Sequence, residues 1–276
     1  MREHSKICSR RIAKSSKAAS PAVSMVIITA ATVVLVLVSS SFALQILDRQ
    51  QASSEFDAVQ TSMLTFDDAF RDIAFDRGGA RSVRFTTSYG YFSLLSNEKN
   101  LDITVVAGGY SYAIPTISLG SVKYCIPTRY ITYGDDYSAN IIGNSSITAV
   151  TSTTDNLGCI NVTQRSNFLT MELDYRVRVS QQGPAVLVNG VLVNYVDIFV
   201  LKANVARSVN VTGDFDVIAR NLEINTYSYY SPEGTNTGTC NVNVKLEGSF
   251  TPVNIAFETP GRVVFNLIIA DIKVSN

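Results

Sequence analysis

No charged residue stands between Lys17 and Asp48, and the run SPAVSMVIITAATVVLVLVSSSFALQIL fills most of that gap. About 20 helical residues at 1.5 Å rise cross a bilayer, so this stretch is long enough to span one. The chain then passes without a turn signal into DRQQASSEFDAVQTSMLTFDDAFRDIAFD. There Ala52, Phe56, Val59, Met63, Phe66, Phe70 and Ile73 follow one another at alternating steps of four and three. That spacing puts one apolar stripe along one side of a helix. Glu55, Asp57, Asp67, Asp68, Asp72 and Asp76 fall mostly off the stripe. The pattern predicts one helix over residues 19–78, on the order of 80 Å long, apolar all round below and on one side only above. Gly78-Gly79 supplies its expected C-cap.

Beyond that rod, 276 residues leave room for one sizeable domain, residues 79–276. Its texture is short β-branched runs: Val83–Thr87, Ile103–Val106, Ser121–Ile126, Thr148–Ser152, Thr170–Val179, Ser208–Thr212, Phe215–Tyr230, Asn241–Leu246, Val253–Glu258 and Val263–Val274. Asn189-Gly190 between two valine- and leucine-rich flanks predicts a tight hairpin. Ten to twelve strands without helical period predict an α+β protein, a long N-terminal helix on a large β-sandwich-like domain.

The formal net charge of zero hides an asymmetry. Arg2, Lys6, Arg10, Arg11, Lys14 and Lys17 stand against Glu3 alone in the first 18 residues, leaving 17 basic and 22 acidic residues downstream. Nothing there is a basic patch, so a nucleic-acid partner has no electrostatic support. The basic flank before the apolar run keeps residues 1–18 cytoplasmic and sends the rest outward.

Three fates follow for this leader. A conventional signal peptide would be cut after Ala43, but the apolar run is longer than such segments usually are. An uncleaved anchor is the second. The third is a cut at Lys17-Ala18-Ala19-Ser20-Pro21, which leaves the apolar helix on the mature chain. This junction resembles the class III signal peptides of archaeal type IV pilins and pilin-like proteins. The mature opening Ala19-Ser20-Pro21-Ala22-Val23 and the run Gly78–Phe85 are similar to that family too. The resemblance covers residues 10 to about 85. It implies removal of the leader by a prepilin peptidase, a membrane-embedded stage, and a filament of copies bundled through the helix. Val23 stands where bacterial pilins carry a glutamate, so their charge-pairing contact does not carry over.

Residues that would carry chemistry are sparse. His4 is the only histidine, and it lies in the leader; no nucleophile elbow, phosphate loop or dinucleotide fingerprint occurs. No enzyme, metal or cofactor is expected. Without the leader's Cys8, three cysteines remain, and Cys125–Cys159 is the expected disulfide because those two are nearest in sequence. Asn144, Asn161 and Asn210 open glycosylation sequons. All 13 tyrosines follow Ser88, in clusters that suit half-wet contact surfaces or ordinary strands. The expected function is a filament subunit at the cell surface. The alternative is a single-span anchor displaying an adhesion- or ligand-binding β-domain that never polymerises.

Overall fold

The computed structural model describes residues 20–276, with side chains from Val23 onward. One helix, α1 (Ser20–Ile73, 54 residues), opens it. The chain divides into two compact units at Arg49/Gln50, so residues 50–73 of α1 are counted with the β-domain.

In the first unit, residues 23–49 of α1 are exposed throughout. Its two threonine hydroxyls bond back to the helix. Thr29 Oγ1 donates to the carbonyls of Met25 (2.9 Å) and Val26 (3.0 Å), and Thr32 Oγ1 to that of Thr29 (2.9 Å). A hydroxyl satisfied this way costs little in an apolar setting.

The second unit joins the rest of α1 to thirteen strands. They are β1 (Ala80–Ala107), β2 (Tyr110–Ala113), β3 (Ile117–Pro127), β4 (Ser138–Ile142), β5 (Ala149–Val150), β6 (Gly158–Arg165) and β7 (Phe168–Tyr175). Then come β8 (Val177–Gln181), β9 (Val186–Val188), β10 (Val191–Val205), β11 (Val209–Tyr230), β12 (Thr237–Leu246) and β13 (Ser249–Ser275). All belong to one hydrogen-bonded sheet, ordered β4-β6-β7-β3-β1-β11-β13-β10-β8-β5, with β12 joining β1 to β13. Pairing is antiparallel except for β10 with β13 and β5 with β8. The long strands change partners along their length. The first half of β1 pairs with β11 and its second half with β12 and β2.

Two cores result. The first lies between α1 and the sheet. It takes Ala52, Phe56, Val59, Met63, Phe66, Phe70 and Ile73, each at most 4% exposed, together with Phe85, Tyr124, Met171, Leu201 and Ile272. Phe70 stacks on Tyr175 at 4.4 Å and Phe66 meets Phe85 edge-on at 6.4 Å. The second core gathers Ile103, Val105, Val242, Val244, Val196, Ile198, Val263 and Phe265. Strand alternation explains how β10 serves both. Val196, Ile198 and Val200 face the second core, while Phe199, Leu201, Ala203 and Val205 face the first.

Three details depart from the sequence reading. Gly78, at φ +84°, is five residues beyond the last helical residue and does not cap it. The cap is Asn221 of β11, whose Nδ2 donates to the Ile73 (2.8 Å) and Ala74 (3.2 Å) carbonyls. Asp67 is off the stripe by spacing yet fully buried. The run Thr170–Val179 breaks at Arg176 into β7 and β8. The Asn189-Gly190 hairpin forms as expected, with φ of +51° and +82° at its two turn residues.

Candidate functional site

Two surfaces and one buried clamp hold the functional interest. The first surface is the exposed part of α1. Val26, Ile28, Leu35, Leu37, Phe42 and Ile46 are 61–67% exposed, and apolar side chains point to every side. Among the described residues this is the one helix long and apolar enough to cross a membrane. Lys17, Ala18 and Ala19 of the expected cleavage junction lie outside the described residues. Ser20 and Pro21 open α1.

The clamp fixes residues 50–73 of α1 to the sheet, and it is made by polar groups. Glu55 accepts hydrogen bonds from the backbone N–H groups of Ser88 (2.6 Å), Tyr89 (3.0 Å) and Gly90 (3.1 Å), and from Tyr124 Oη (2.7 Å). These N–H groups lie where β1 shifts register against β11, between Thr87 and Phe92. The carboxylate therefore supplies acceptors at a break in the ladder, with Gly90 buried there and Tyr89 half-buried. Tyr89 Oη also bonds Gln51. Burial, then the hydrogen bond to Glu55 and its charge, push the Tyr124 phenol up.

Further along the same helix, Asp67 is held by Arg71 Nε at 3.1 Å and lies against Gly158 of β6, where any Cβ would collide with its carboxylate. Burial raises its pKa to about 6, against the lowering pull of Arg71. The Tyr175 phenol is pushed well up by burial and then by the neighbouring Asp67 charge.

The second surface is an open groove of about 530 Å³ where β11, β13 and β10 meet the loop before β3. Tyr227, Asn225, Glu223, Leu267 and the Lys202–Asp271 ion pair (2.7 Å) line it. Tyr229, which also lines it, and Tyr112 both meet the Phe265 ring, at 5.1 and 5.3 Å. The Tyr130 cluster lies elsewhere, with Tyr133 stacked on Tyr137 at 4.7 Å and Arg129 over Tyr130 at 4.6 Å.

The expected Cys125–Cys159 disulfide is not formed. Cys125, Cys159 and Cys240 are buried free thiols. Cys125 is on β3 opposite Thr170, and Cys159 is on β6 opposite Asp174, with β7 between them. Two strand spacings and four residues of offset separate the pair by about 16 Å, far beyond the roughly 7 Å a disulfide spans. Burial pushes the Cys159 and Cys240 thiols up to about 11. Of the sequons, Asn144 is exposed in the loop after β4. Asn210 is exposed on β11 and accepts from Ser93 Oγ (2.8 Å). Asn161 is half-buried in β6, which pairs on both sides. No group of three potential metal-ligating side chains gathers among the described residues.

Comparison with known protein families, curated proteins and solved structures finds no match to this chain.

Proposed function

We propose that this chain is a structural, non-catalytic subunit of an archaeal type IV pilus-like surface filament. In this reading a prepilin peptidase removes residues 1–18 in the membrane. Residues 19–47 then leave lipid to bundle with the same helix of other copies. The β-domain, a sandwich-like shell carrying glycans at exposed sequons, faces outward. The observation that carries the proposal is the bare apolar helix from Val23 to Leu47. Burying each large apolar side chain is worth about 1.5–3 kcal/mol, so a segment of this composition has a lipid or protein partner. The junction Lys17–Pro21 is what favours an assembling helix over a permanent anchor.

Mass spectrometry of the mature N-terminus tests the processing step. A chain beginning at Ala19 supports the proposal, and an intact Met1 or a start at Leu44 sinks it.

The groove beside Tyr227 and Asp271 favours a second reading, in which a single-span anchor displays a ligand-binding β-domain and never polymerises.

A further inference from the structure

On the face of β7 turned away from α1, five charged side chains meet in a partly enclosed cluster. Lys99 of β1 reaches across β3 and places Nζ 2.6 Å from Asp174 Oδ1 and 2.6 Å from Glu172 Oε1. Only 8% of the lysine side chain is exposed, against 27% for Asp174 and 22% for Glu172. Lys123 Nζ sits 3.2 Å from the same Glu172 oxygen and 2.7 Å from Glu98, and Ser121 Oγ donates to Glu172 at 3.0 Å. A cavity of about 120 Å³ lined by Lys99, Asp174, Cys159, Thr148 and Leu246 adjoins the cluster, roomy enough for expelled water.

An ion cluster taken from water gains back its desolvation cost only with good geometry and full hydrogen bonding. This one has a chemical alternative, because its environment separates the two carboxyl groups. Burial raises Asp174 to about 6, with Glu172 adding to the rise and Lys99 opposing it. Glu172 is lowered instead, because Lys99 and Lys123 together outweigh its burial. Carboxyls pushed apart in this way divide into an acid and a base. Burial would lower Lys99, but its two carboxylate neighbours raise it, so the amine enters as the ammonium ion and must pass a proton on.

We infer that Lys99 and Asp174 are joined by an intramolecular isopeptide bond, with Glu172 as the proton acceptor. The ammonium gives one proton to Glu172, and the freed Nζ lone pair attacks Cγ of protonated Asp174. The Nζ–Cγ bond forms, the Cγ–hydroxyl bond breaks, and the hydroxyl leaves as water with a second nitrogen proton. One proton stays on the amide and one on Glu172, so no oxidant, reductant or further reactant is needed. The product is a neutral amide where an ion pair stood. It ties β1 to β7 across β3, in a domain whose three described cysteines form no disulfide. The proposal does not depend on filament assembly.

Tryptic peptide mapping of the full chain, extracted in detergent, decides it. The linked form resists cleavage after Lys99. It appears as residues 85–123 joined to residues 166–176, one water lighter than the two peptides together. In E172Q, which keeps the shape of the side chain, the joined species should be lost completely. Recovery of separate peptides 85–99, 100–123 and 166–176 from the unaltered chain overturns the bond, whatever the variant does. A joined species that persists in E172Q overturns the role given to Glu172.

Discussion

Asp67 and Glu55 are both acids on α1, and the sheet treats them in opposite ways. Glu55 is met by donors: three consecutive backbone N–H groups and a phenol. Hydrogen bonds to a charged group are worth about 1.5–3 kcal/mol each in favourable settings, though they do not add fully. Glu55→Ala should therefore cost about 2–4 kcal/mol in urea unfolding, through loss of the hydrogen bonds that converge on one carboxylate. A loss below about 0.5 kcal/mol would place the clamp elsewhere. Asp67 is met chiefly by burial, and its pKa rises from an ordinary 3.8 to about 6. The folded state therefore holds this proton more tightly than the unfolded chain. Its stabilising contribution is complete below about pH 4 and is lost as pH rises through about 6. Two units correspond to at most about 3 kcal/mol. Asp67→Asn should be the more stable protein at pH 7, with the difference vanishing near pH 4. Urea titrations across that range check it, and an asparagine variant weaker at every pH would show that the Arg71 bond dominates. Neither role was legible beforehand. Periodicity places Glu55 and Asp67 off the stripe, but it does not reveal a register break in β1 or a glycine at 158 that lets the sheet approach.

Elements repeat that lesson. The helix was legible because seven apolar residues share one period over more than 20 positions, and no alternative period fits them. Strands were legible as runs but not as continuous objects. β1 is 28 residues long, yet the sequence suggests two separate strands within it, because its register shifts and changes of partner interrupt the alternation. β6 was missed altogether. Gly158-Cys159-Ile160-Asn161-Val162-Thr163 mixes glycine and polar residues into a strand that is paired on both sides. The disulfide was misassigned for a related reason, since nearness in sequence says nothing about strand order. The helix end was hidden as well, because Asn221 caps Ile73 from 148 positions away. The upper part of α1 contributes a full side of the first core, so it is integral to the β-domain. Residues 50–276 should fold alone, whereas residues 80–276 should lose near-ultraviolet circular dichroism and bind a hydrophobic dye. Equal behaviour of the two fragments would show that the first core does not need its helix.

The whole molecule combines a β-domain that takes in the upper part of α1 with a helical segment whose apolar side chains are bare among the described residues. Hydropathy pointed to that organisation from the sequence, because it is a bulk property that survives ignorance of contacts. The thirteen-stranded topology was not accessible, since long-range pairing is set by side-chain fit across the sheet. The central claim concerns where the apolar helix finally resides. Electron microscopy of sheared surface material, with gold-labelled antibody against residues 80–276, tests it most directly. The account predicts labelled filaments that carry this chain along their length. Labelled membrane fragments with unlabelled filaments, or with none, would contradict it.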